Sequence, residues 1–119
     1  MSEHEDMTPL HAAAEYYSEH PELSDTPMLK LMLESRTDDA RHALAMTLDS
    51  DDGRSVLVHA TGSTAAIAYL LTSGVLDQRT VRALLRTRSE SGTTLADYAC
   101  MEHDLGSLKL LCEAGFRLR

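Results

Sequence analysis

Cys100, His103 and Cys112 are the residues of this chain best suited to chemistry: two thiols and an imidazole close together near the C-terminal end. Two kinds of site use such a set. A cysteine nucleophile needs an imidazole that is itself held by a third group, in a pocket that excludes water. Asp97, Glu102 and Asp104 lie around His103 and can complete that arrangement on paper. A zinc site needs four ligands, usually with a close cysteine pair, whereas these cysteines stand apart and a fourth ligand is missing. The chain contains no phosphate-binding loop, no His-Glu-x-x-His and no Gly-x-Ser-x-Gly. Two buried, reduced thiols among small packed residues answer the pattern more simply. No catalytic residue, metal or cofactor is therefore expected, and a thiol-dependent enzyme is kept only as an alternative.

The arginines form the second chemical pattern. Arg79, Arg82 and Arg86 recur at i, i+3 and i+7, so on a helix they make one stripe, with Val81, Leu84 and Leu85 on the opposite face for packing. Such a row is a solvated face, a partner for Asp49, Asp51 and Asp52, or a secondary docking stripe for an acidic surface, since planar guanidinium groups bind carboxylates in bidentate fashion. Net charge decides against nucleic acid: nineteen acidic against eleven basic residues give −8. Residues 1–52 carry thirteen Asp/Glu and three Lys/Arg, and residues 53–119 carry six and eight. That asymmetry suggests an elongated molecule with unlike ends.

At 119 residues the chain reads as one domain, 1–119. No apolar stretch is long enough to span a membrane. The acidic start, Met1-Ser2-Glu3-His4-Glu5-Asp6, lacks the basic and apolar character of a signal peptide and is expected to be flexible over 1–6. Two cysteines are too few for a disulfide framework, which points to a reducing, cytoplasmic setting.

Almost nothing alternates with period two, so helices must position these groups. Thr8-Pro9 and Thr26-Pro27 each put a capping hydroxyl before a proline at the first helical position. Gly74 and Gly115 follow apolar helical runs, where a left-handed residue ends a helix, while Gly62 carries no such requirement. Three segments share a plan. Thr8-Pro9-Leu10-His11-Ala12-Ala13 resembles the ankyrin signature T-P-L-H-x-A over all its fixed positions. Gly92-Thr93-Thr94-Leu95-Ala96-Asp97-Tyr98-Ala99 and Leu108-Lys109-Leu110-Leu111-Cys112-Glu113-Ala114-Gly115 resemble its first and second helices, and Asp52 to Ala60 with Ile67 to Gly74 is a weaker copy.

The resemblance implies an all-α, ankyrin-like helical solenoid of about three repeats, at about 6–37, 52–77 and 91–118. Its signature residues fall at 8, 55 and 94, spacings of 47 and 39 rather than the usual 33. The excess is an insertion from Tyr17 to Asp25 and two short extra helices at the repeat junctions, about 39–48 and 78–88, which a shift of 39 superposes. A three-helix, armadillo-like unit is the competing arrangement. Within the resemblance His11 bonds turn backbone between neighbouring repeats, and Cys100 and Cys112 occupy core positions.

Ankyrin proteins meet their ligands through loop tips and the exposed side of the first helices. Carried onto this chain, the partner-binding positions are Glu5, Met7, Glu15 and Tyr16; Asp51, Asp52, Arg54 and Ser63; and Glu90, Ser91, Thr93, Met101 and Glu102. They make an acidic strip with Tyr16 and Met101 as apolar anchors. The expected function is protein–protein recognition by a small binder that occupies a partner's surface as an inhibitor, immunity-type protein or accessory subunit. It is expected to be a monomer or weak homodimer, with a self-associating structural protein as the alternative.

Overall fold

The computed structural model describes residues 8–48, 53–89 and 91–117. Among these, eight helices follow one another: α1 (Pro9–Glu19), α2 (Pro27–Glu34), α3 (Asp38–Met46), α4 (Val56–Ala60), α5 (Thr64–Thr72), α6 (Gln78–Arg86), α7 (Leu95–Met101) and α8 (Leu105–Arg117). No strand occurs among the described residues, and no helix there is long and apolar enough to cross a membrane.

Thr8 and Thr94 start α1 and α7 in the same way. Thr8 Oγ1 accepts the His11 N–H at 3.2 Å, while His11 Nδ1 accepts the Thr8 N–H at 3.3 Å. Thr94 and Asp97 exchange the equivalent bonds at 3.2 and 3.1 Å. Each reciprocal pair satisfies donors that a helix start leaves open. Ser55, at the matching place before α4, makes no side-chain capping bond, and that helix has only five residues.

The second start departs from expectation. Pro27 does open α2, but the Thr26 hydroxyl does not cap it. The buried Tyr17 reaches across from α1 instead, its phenol oxygen accepting the Met28 N–H at 3.0 Å. A tertiary contact thus satisfies a donor that local sequence seemed to provide for. At the other end of α2, where no glycine stands, arginines take over. Arg36 Nε donates to Met32 O at 2.8 Å and Arg41 Nε to Leu33 O at 2.7 Å, placing positive charge at the helix C-terminus.

The two extra helices are close copies. α3 and α6 each span nine residues, and each ends at a threonine, Thr47 or Thr87, in extended backbone. Both threonine hydroxyls donate to an alanine carbonyl one turn back, Ala43 or Ala83, at 2.9 Å. These helices superpose with a shift of 40, while Gly53 and Gly92, which both adopt positive φ (+64° and +84°), keep the shift of 39.

Helices α1, α4 and α7 pack in sequence as one row, α5 against α8 as a second with α2 against α1, and α3 against α6 as a third that touches α8. Ala13, Ala14, Ala60 and Ala99, all buried, leave room for close approach within the first row. His11 stands edge-on to His59 of α4, ring centres 5.0 Å apart. The molecule measures 38 × 30 × 29 Å, so the elongated shape inferred from charge is not found.

Of three glycine expectations, two change. Gly74 ends α5 with φ +85°, as expected. Gly115 lies inside α8 and does not stop it. Gly62, expected to be unconstrained, has φ +103° and forms the turn between α4 and α5. That turn is held from both sides: Ser18 of α1 donates its hydroxyl to Thr61 O, and Asp104 accepts the Gly62 N–H at 3.1 Å and the Thr64 hydroxyl at 2.8 Å. His103, the residue equivalent to Gly62 in the α7–α8 turn, is exposed with φ +55°.

Asp104 also accepts from the backbone N–H and hydroxyl of Ser107, so it both caps α8 and ties it to the preceding turn. Partial burial works against its charge, but the bonds from Ser107, Thr64 and Gly62 outweigh that and hold its carboxyl below the ordinary carboxylate range. Replacing Asp104 with alanine is expected to cost about 1–3 kcal/mol at neutral pH, from the lost cap and the donors left behind. A depressed carboxyl contributes stability above its unfolded pKa and loses it as pH falls through the folded value. The gap between wild type and variant should therefore narrow below about pH 4. Urea titrations between pH 3 and 7 read this directly, and a gap independent of pH would contradict it.

Candidate functional site

Tyr16 stands near the end of α1, followed by the inserted segment before α2. Its ring stacks on His20 at 4.2 Å and meets Tyr17 edge-on at 5.6 Å, while His20 Nδ1 lies 2.8 Å from Tyr16 O. These contacts hold in place an aromatic ring that is 43% exposed. Beside it opens a groove of about 680 Å³, lined by Tyr16, Tyr17, Leu23, Ser24, Asp25, Pro27 and Met28. The lining is mostly apolar, and Leu23 and Met28 are themselves exposed. Its volume lies in the range of protein ligand sites.

The groove forms where the connection between α1 and α2 leads into the first turn of α2. Met28 N–H is bound to Tyr17, so the start of α2 is pinned to α1, while Leu29 and Leu33 turn into the core. Met28 and Leu31 are left exposed on the outer side of α2. Leu23 and Met28 were not among the sequence-derived contact residues. The available signal was the insertion itself, which places apolar Leu23 in an otherwise polar connection.

Of the expected strip, Glu15 is half-buried and Tyr16 exposed on α1, and Met101 and Glu102 are exposed at the end of α7. Two helix spacings separate α1 from α7, about 16–20 Å. Ser63 is a correction. It is 1% exposed and its hydroxyl accepts the Ala66 N–H at 3.1 Å, so it caps α5 rather than facing a partner. Arg54 is half-buried. Ser91 is exposed and lies between Ser89 and Thr93 in a chain of hydroxyls at 2.8 and 3.0 Å. Glu5, Met7, Asp51, Asp52 and Glu90 lie outside the described residues.

Arg79, Arg82 and Arg86 are all exposed along α6, with Thr80, Val81 and Leu84 buried on its other side. None of the three makes an ion pair among the described residues. The junction carboxylates Asp49, Asp51 and Asp52 fall outside those residues. The cysteines are a further correction: Cys100 and Cys112 are both exposed rather than core. Cys112 borders a hollow of about 180 Å³ with Leu85, Thr94, Leu95, Ala96, Leu111 and Gly115, whose lining includes no imidazole or carboxylate. No cluster of three or more His, Cys, Asp or Glu side chains suited to a metal occurs among the described residues.

Compared with known proteins, the chain matches no protein family, no curated protein and no solved structure. The groove beside Tyr16 therefore carries the functional argument.

Proposed function

We propose that this chain is a protein-binding module of the ankyrin-like helical-repeat kind, acting by occupying a partner's surface. The observation that carries the reading is the open groove at Tyr16, a pinned aromatic beside exposed Leu23 and Met28. Aromatic and methionine side chains are enriched at the centres of protein interfaces. The recurrence of one local build at shifts of 39 and 40 supports the repeat interpretation, because stacked units create extended binding faces. An inhibitor, immunity-type protein or accessory subunit in the cytoplasm fits a small acidic binder of this form.

Capture of partners from native lysate by the full chain, compared with Tyr16→Ala and Met28→Lys, tests the reading. Loss of an anchor in a desolvated pocket typically costs 2 kcal/mol or more, so each variant should lose the captured protein by roughly 30-fold or more in affinity while keeping its helical circular dichroism. Undiminished capture by both variants would remove the groove from the function.

One observation favours a second reading. Leu31 on α2 and Leu105 on α8 are 74% and 78% exposed. Copies joined through such exposed leucines would self-associate. Light scattering across a range of concentrations separates the two readings, since a recognition module stays a monomer or at most a weak dimer while a self-associating protein grows into larger assemblies.

A further inference from the structure

We infer that the groove beside Tyr16 receives a basic, amphipathic segment of the partner; this rests on the protein-binding reading and names the chemistry of what binds. The groove offers apolar walls from Tyr16, Leu23, Pro27 and Met28. Its chain neighbours are acidic. Residues 9–34, which form both helices and the connection around the groove, carry five carboxylates and a single lysine. That lysine is already engaged, with Lys30 Nζ 2.7 Å from Asp25 Oδ1. Glu15 and Glu22, adjacent in sequence to Tyr16 and Leu23, and Glu19, two residues after Tyr17, have no cation paired with them among the described residues.

An apolar slot in an acidic field selects for apolar side chains carried on a Lys/Arg-rich segment, the helix-in-groove mode of recognition. Met28 suits it, because an unbranched thioether repacks around different side chains. The pinned Tyr16 supplies rigid contact area at low entropic cost. Other occupants fit less well. The chain's own N-terminal residues include Glu3, Glu5 and Asp6 and would bring like charge. A second copy offers its Arg79–Arg86 stripe, but the apolar side of that helix, Val81 and Leu84, is buried in its own core and cannot fill the slot.

The test is selection of a random 16-residue peptide library on the full chain, followed by titration of the enriched synthetic peptides. Enriched peptides should combine spaced large apolar residues with Lys/Arg. They should bind Met28→Lys at least tenfold more weakly than wild type, and weaken by a similar factor between low and physiological salt. Enrichment of acidic or uncharged peptides overturns the inference, as does the absence of any enriched sequence. Basic peptides that bind Met28→Lys as tightly as wild type place recognition elsewhere: the inference fails and the protein-binding reading survives. A dimer of the chain alone that Met28→Lys dissociates assigns the groove to a second copy and overturns the inference as well.

Discussion

Replacing Gly62 with alanine is expected to cost this protein about 2–5 kcal/mol, whereas the same change at Gly115 should leave it as stable or more so. Two effects combine at Gly62. Its φ of +103° is one that residues with a Cβ rarely adopt, and an added Cβ would lie 2.7 Å from Ser18 Oγ and 3.3 Å from Ser18 O. The hydroxyl can rotate away only by giving up its bond to Thr61 O, and the carbonyl belongs to α1 and cannot follow it. The turn cannot shift either, because Asp104 holds the Gly62 N–H on its other side. Gly115 lies within α8 with open space where a Cβ would go, so alanine there removes a helix-weakening residue and gains up to about 1 kcal/mol. Gly74→Ala falls between them: φ is +85°, but nothing is within 4 Å of the new atom. Urea or thermal unfolding of the three variants should rank them Gly62, Gly74, Gly115 from least to most stable. Equal midpoints, or a loss at Gly115 as large as at Gly62, would show that the α4–α5 turn is not the constrained point.

Leu70→Ala should be comparably damaging, at about 2–5 kcal/mol, since Leu70 is buried on α5 where the second row meets the first. Stability of order 5–15 kcal/mol is all that a domain of this size commands, so one such cavity removes a large part of it. The structure also separates two neighbouring leucines on α8. Leu111 is buried, while Leu110 is only partly covered, so Leu111→Ala should exceed Leu110→Ala. Denaturant midpoints for the three variants decide the matter. A Leu110 effect equal to that of Leu111 would mean that α8 is rotated about its axis from the orientation described.

Much of the helical layout was legible from residue type and spacing. Thr8-Pro9 is a local device, complete within four residues, and it starts α1 where the sequence says it should; Thr94 with Asp97 starts α7 by an equally local exchange. The extra helices at 39–48 and 78–88 appear as Asp38–Met46 and Gln78–Arg86, because an acidic or hydroxyl cap and a run of helix formers act within one or two turns. The amphipathic register of α6 was equally readable: three arginines face out while Val81 and Leu84 face in.

What local sequence could not decide was anything that depends on which other segment arrives alongside. Thr26 looked like a cap, yet Tyr17, eleven residues before Met28, took that place. Cys100 and Cys112 looked like core residues by their place in the pattern, but the rotation of α7 and α8 against their neighbours left both outside. Ser63 was drawn inward to cap α5, and Gly62 acquired its constraint from Ser18 and Asp104, more than forty residues away on either side. The groove is the clearest case. Leu23 and Met28 are unremarkable in sequence, and they line the groove because Tyr17 pins the first turn of α2 to α1. Caps and helix faces are set by interactions a few residues long, so residue type and spacing determine them. Turn strain, burial at the edges of the rows and the shape of the groove come from packing between distant segments, and only the tertiary structure decides those.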